Sequence, residues 1–175
     1  ALQEKYKLSD EDIIPYLFTA GAVGYVIANN ACIAGATGGC QAEVGSASAM
    51  SAAAAVEMSG GTPGQAADAM AIALTNMLGL SCDPVAGLVE VPCIMRNAAG
   101  ASNALTAAWM AMAGVKSRIP WDEVIEAMYQ IGLSMPSALR ETATGGLAAT
   151  PTGKRWRKEI LGDTHGEHTN SETKP

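Results

Sequence analysis

The chain has 175 residues, 49% of them hydrophobic and 16% charged, with a net charge of −6. That is one domain's length with enough apolar material for a real core, which excludes a disordered segment. The acidic balance argues against a nucleic-acid surface or a polybasic membrane anchor.

The first dozen residues, ALQEKYKLSDED, hold no basic region followed by an apolar run, so no secretory signal is expected and the cytoplasm is the expected compartment. Ser9–Asp10–Glu11–Asp12 reads as a capped, acidic helix start. A long helix is expected from there through Tyr16 and Tyr25 to about Ala36, with Pro15 tolerated near its first turn. Its most apolar stretch, Ala20 to Ala36, is interrupted by Asn29 and Asn30, which fits a buried core helix better than a membrane span. Thr37–Gly38–Gly39 ends it. A second helix is expected from Cys40 or Gln41 to Met58, and a third from the Thr62–Pro63 start to about Leu78. Gly79 to Cys93 reads as an irregular loop punctuated by Pro84, Gly87 and Pro92, with at most a short strand at Val85 to Val91. A fourth helix spans Ile94 to Ala113, and a fifth opens at Pro120–Trp121–Asp122–Glu123 and runs to about Ile131. Pro136 to Arg140 reads as a short helix and Glu141 to Gly153 as ordered loop. The expected class is all-α, a compact helical bundle over residues 1–153, followed by a basic then polar tail at 154–175 that is largely disordered. Alanine, methionine and glycine dominate the apolar residues, and there is one Phe. Helices with such small side chains approach closely around a thin filling, so an oligomer or larger assembly is expected. The methionines at 50, 58, 70, 77, 110 and 112 read as core filler.

Four cysteines in a chain without a signal point to metal binding, redox chemistry or plain burial before disulfides. Cys40 follows two glycines at a helix start, and Cys82 and Cys93 bracket the irregular loop, with Cys93 at the next helix start. A helix N-terminus lowers a thiol pKa and favours the thiolate that ligates metal. Zinc sites normally show a short C-x₂₋₄-C pair, and this chain has none. Separations of 42 and 11 residues match no generic motif, so spacing alone leaves a metal site and buried structural cysteines both open.

GGCQAEVG, the loop LGLSCDPVAGLVEVPCIMRNA and the late segment RETATGGLA resemble the iron–sulfur-dependent L-serine dehydratases, and more closely the α chain of their two-chain form, over nearly all of residues 1–160. The resemblance implies that Cys40, Cys82 and Cys93 bind a [4Fe–4S] cluster. Three ligands on a four-iron cube leave one iron without a protein thiolate, as in an open catalytic site. The implied reaction uses that iron as a Lewis acid on the 3-hydroxyl of L-serine while a base removes the α-proton. Loss of water gives an enamine, then an imine, then pyruvate and ammonia, a step of amino-acid catabolism that can feed gluconeogenesis. No pyridoxal phosphate is expected. The base is expected from a β chain, because both histidines, His165 and His168, fall in the expected tail. In the family a Ser-Ser-Ser-His-Thr segment of the partner domain is implicated in the site, and α chains carry a Pro-Thr-Asn-Gly-like segment upstream; neither occurs here. The chain thus resembles the C-terminal part of an α chain.

Four further residues are candidates for the site. Arg96 and Asn97 follow Cys93 by about one helical turn, and Arg96 is suited to grip a substrate carboxylate as a fork or to form a structural ion pair. Asp83 either caps the Asp83–Pro84 turn or orients the site. Arg140 stands before the Gly145–Gly146 loop and either walls the cavity or makes an ion pair. Glu43, one turn after Cys40, either reaches the site or closes a capping-box contact. Two rival functions remain: an L-cysteine desulfidase with the same ligands, or a redox or sensor subunit whose fourth ligand would be Cys32.

Overall fold

The computed structural model describes residues 3–4 and 7–162. The fold is all-α. Its helices are α1 (Asp10–Asn30), α2 (Ser46–Met58), α3 (Pro63–Thr75), α4 (Cys93–Met112), α5 (Trp121–Ser134) and α6 (Pro151–Leu161), and a single helical turn at Gly35–Gly38 follows α1. Among the described residues there is no strand; one isolated parallel bridge joins Cys82 to Arg140. No helix of these residues is long and apolar enough to cross a membrane.

The starts of α1 and α3 follow from capping boxes. Ser9 accepts from the Asp12 amide while Asp12 reaches back, and Thr62 does the same with Gln65 ahead of Pro63. α2 is apolar around most of its circumference, and such a helix must be covered on all sides. It accordingly lies at the centre, against α1, α3 and α4, burying Ala49, Ala52, Ala53, Ala54, Ala55 and Val56. One core cluster joins α2 to Ile27, Leu74, Ile125 and Met128; a second, nearly all alanine, joins it to Ala69, Ala104, Ala107 and Ala111. Close approach is also required where α5 crosses the Gly35–Gly38 turn: a Cβ on Gly132 would stand 2.9 Å from Gly38 Cα.

Several boundaries differ from the expected ones. α1 stops at Asn30 and not near Ala36, because the Asn29 and Asn30 side chains each donate to a carbonyl four residues back, at 2.7 Å, and compete with helix continuation. α3 ends at Thr75, short of Leu78, and α5 runs on to Ser134. Val85 to Val91 holds a 3-10 turn, Val85–Gly87, in place of a strand. The chain remains helical through α6, where a tail was expected from Lys154: Thr150 caps the Gly153 amide and Pro151 opens the first turn. Residues 163–175, with His165 and His168, lie outside the described residues. Met70 is buried, but Met110 is exposed rather than core. Ile14, Leu17, Phe18 and Tyr25 leave α1 with an exposed apolar face.

Candidate metal centre

At one end of the bundle the chain leaves the α-helical pattern in three segments: 31–45, 76–92 and 135–150. A π-helical turn, Gln41–Gly45, follows Cys40 and leads into α2. Such turns widen the helix locally and recur at functional sites. Gln41, fully buried, fixes this corner with three hydrogen bonds. Its amide donates to Leu80 O, its Nε2 donates to Met128 O, and its Oε1 accepts from the Gly79 amide, each at 2.9 Å. The loop before α4 is thereby held against the start of α2.

Cys40, Cys82 and Cys93 are all buried, at 2%, 3% and 8% exposure, the first two within these segments and Cys93 where the second meets α4. Cys40 Sγ, Cys82 Sγ and a Glu43 carboxylate oxygen lie within 4.8 Å of one another, a set able to hold a metal ion. Cys93 is the first residue of α4, near enough that Cys40 and Glu43 both raise its pKa. The backbone makes room for this group. A Cβ on Gly35 would come within 3.0 Å of both Cys82 Sγ and Glu43 Oε2, filling the space that sulfur and carboxylate face. Soft sulfur donors suit zinc or iron–sulfur chemistry, and a carboxylate beside them suits iron as well as zinc.

The thiols do not behave as helix termini alone would dictate. Burial pushes the Cys82 thiol well above the usual range, and Cys40, Glu141 and Glu43 push it further. Burial also raises Cys93, with Cys40 and Glu43 adding to the rise and Arg96 opposing it. Loss of hydration and neighbouring negative groups thus favour the protonated thiols, and metal ligation there would have to displace those protons.

Arg96, at the fourth position of α4, places Nη1 at 2.7 Å from Ser81 O, 2.7 Å from Asp83 Oδ1 and 3.7 Å from Cys40 Sγ. Burial works against its charge, but Asp83 and Cys40 more than compensate and the guanidinium holds its proton more tightly than usual. Among the described residues its Nε and Nη2 have no hydrogen-bond partner. Asp83 is 3% exposed and spends neither oxygen on its own turn. Oδ1 receives Arg96, and Oδ2 receives the Leu147 amide at 2.7 Å. The turn at Gly146 exists for this contact: φ there is +56°, and a Cβ would stand 2.2 Å from Asp83 Oδ2. The neighbouring Glu141 and Ala143 also sit at positive φ, 64° and 55°, an arrangement that non-glycine residues hold only where surroundings enforce it.

Arg140 lies beside Cys82 through the isolated bridge. Cys82 N donates to Leu139 O and Glu141 N to Cys82 O, both at 2.8 Å. Its Nη1 donates to Thr37 O at 3.4 Å, and its buried Nε has no partner. Asn97 is exposed, unlike Arg96 one position before it. Cys32 packs on the core cluster of Ile27 and Leu74, close to Gly38, and is not part of the 4.8 Å set. Of the two roles open to Glu43, reaching the site or closing a capping-box contact, its carboxylate takes the first. Its position one helical turn after Cys40 was the available signal.

A family model described as serine dehydratase alpha chain matches residues 1–148. The chain belongs to that family. Among its relatives, this serine dehydratase alpha-chain domain is 68% identical over 166 residues to a Bacillus subtilis protein named "Probable L-serine dehydratase, alpha chain", a match covering 95% of this chain and 55% of the relative. It is 61% identical to a Latilactobacillus sakei protein of the same name, covering 92% of this chain and 77% of the relative. It is 53% identical to the "L-serine dehydratase, alpha chain" of Peptoniphilus asaccharolyticus, covering 92% and 55%. The serine dehydratase alpha-chain domain described here thus spans about half the length of two of these three relatives.

Proposed function

We propose that this chain is the cluster-bearing part of an L-serine dehydratase that releases pyruvate and ammonia in the cytoplasm. Cys40, Cys82 and Cys93 hold a [4Fe–4S] cluster, whose iron lacking a protein thiolate supplies Lewis acidity to the departing hydroxyl. The reading is carried by one observation: two thiol sulfurs and a carboxylate oxygen converge within 4.8 Å in a chain of this family. The donor set fits the group, since soft thiolates are the ligands that iron–sulfur clusters select.

The chain's own residues divide the remaining work. Arg96, pinned through Nη1, keeps its Nε–Nη2 edge for the substrate carboxylate, the planar fork that such a group accepts. Asp83 holds Arg96 in that attitude and ties it to the Leu147 loop. Arg140 and the backbone at 139–141 wall the site next to Cys82. Asn97, from the exposed side of α4, faces a substrate or partner. The base that takes the α-proton comes from a β chain, and the exposed apolar face of α1 offers a surface for a partner chain. The packing of Cys32 on the bundle core favours catalysis over a redox or sensor role that would need it as a fourth thiolate.

The test is anaerobic iron and sulfide analysis, with visible and electron paramagnetic spectra, on the wild type and on Cys40→Ser, Cys82→Ser and Cys93→Ser. The expected result is about four irons and four sulfides in the wild type and loss of the cluster in each variant. Full retention in all three would defeat the assignment. Turnover of L-serine against L-cysteine, measured with the β chain added, separates dehydratase from desulfidase.

A further inference from the structure

Glu43 sets a carboxylate beside the thiols, and among the described residues neither packing nor local hydrogen bonding gives it a reason to be there. It stands in the π-helical turn one turn after Cys40, and its oxygen shares the 4.8 Å set with Cys40 Sγ and Cys82 Sγ. Among the described residues its carboxylate has no ion-pair or hydrogen-bond partner, so the capping contact that its position allowed is not made. Among the described residues no lysine or arginine pairs with either oxygen, although Arg96 reaches the neighbouring Cys40 Sγ. The three cysteines are buried, whereas Glu43 is exposed, so its carboxylate bridges the thiol group and solvent. The turn at Gly35 is kept free of a side chain where Glu43 Oε2 and Cys82 Sγ come together. A bare carboxylate pointed at sulfur is repelled by any thiolate, and the arrangement becomes favourable when a cation sits between them.

We infer that Glu43 is an exchangeable fourth protein ligand of the metal group held by the three cysteines, occupying the position that substrate later takes. The inference rests on the function proposed above. A carboxylate is a serviceable iron ligand but a weaker competitor than thiolate on this soft centre. As an exposed side chain held by one oxygen, Glu43 would cover the metal group in the resting protein and swing aside when bound substrate takes its place. On exchange Glu43 would give up its contact with the metal group as an anionic carboxylate, and the substrate's hydroxyl would take that place. No electron is transferred. The released carboxylate remains beside the site, one helical turn from Cys40.

The test uses the chain reconstituted anaerobically with ferrous iron and sulfide, without substrate, and follows loss of a single iron on exposure to air by the growth of the three-iron paramagnetic signal. Glu43→Ala is expected to lose that iron about tenfold faster than the wild type, on the scale by which supporting groups change metal affinity. Glu43→Asp is expected to fall between them. Added formate is expected to slow the loss in Glu43→Ala and not in the wild type, a rescue that a purely structural role would not produce. Glu43→Gln keeps the shape and loses the charge; it serves if the alanine variant folds poorly, with circular dichroism as the check. Equal rates in folded wild type and variants, or no formate effect, would overturn the inference while leaving the cluster assignment intact. A wild type that takes up no iron and sulfide would overturn both.

Discussion

The two ends of this molecule are held together by different physics. The bundle around α2 is close-packed alanine, with Ala52, Ala53, Ala54 and Ala107 at 0–1% exposure and hardly any polar side chain buried among them. The other end buries Gln41, Asp83 and three thiols, and its segments are joined by hydrogen bonds that span 38 to 87 residues of sequence. The first region tolerates no added volume, and the second tolerates no lost partner. A fold can therefore carry a precise polar site on a featureless apolar scaffold, provided the groups that join its segments, Gln41 and Asp83, are answered.

That contrast can be broken by perturbing each end in turn. The largest effect is expected from Asp83→Ala, which strands the Arg96 charge and the Leu147 amide together. Removing one partner of so buried a pair costs about 3 kcal/mol, read as a lower denaturation midpoint. If the whole bundle melts with the site in one transition, the two ends are a single cooperative unit; if only amides near 139–150 gain exchange, they are separate ones. Ala107→Leu, at a position of 0% exposure, is expected to cost about 2 kcal/mol by overpacking, roughly 4–8 °C in Tm. Metal loading should survive that change, because the alanine cluster does not touch the thiols. The smallest effect is one of pH. In the metal-free chain the Cys82, Cys93 and Cys32 thiols are all raised, chiefly by burial, so the unfolded chain ionises first as pH climbs. Stability is full below the ordinary thiol range and declines above it, giving a lower Tm at about pH 10 than at about pH 8. A Tm that rises over that interval would contradict the burial of these sulfurs.

The helices were legible because their signals are local. Ser9 with Asp12, Thr62 with Gln65 and Pro63, and the small-residue run of α2 each declare themselves within a few residues. α6 carried such signals too, Thr150 and Pro151, but its basic face reads as solvated tail and masked them. At the site the cysteines stood out by residue type. The roles of the polar groups did not, because Asp83 is answered from Leu147 and Gln41 from Met128, and no window of sequence contains both halves of those pairs. Arg96 and Asn97 show the same limit: adjacent in sequence, one reaches the sulfur of Cys40 and the other faces solvent.

The bond from Leu147 to Asp83 also sets a clock. It joins positions 64 residues apart, and a chain growing from its N-terminus makes the acceptor long before the donor. At ordinary synthesis rates of 5–20 residues per second, Cys82 and Cys93 precede their clasp by roughly 3–13 s. During that interval the loop bearing them is tied by Gln41 and Arg96, and its bond to the 139–150 segment is still missing. Asp83 therefore waits for its second partner until Gly146 and Leu147 have been made, and the polar end of the fold is completed last.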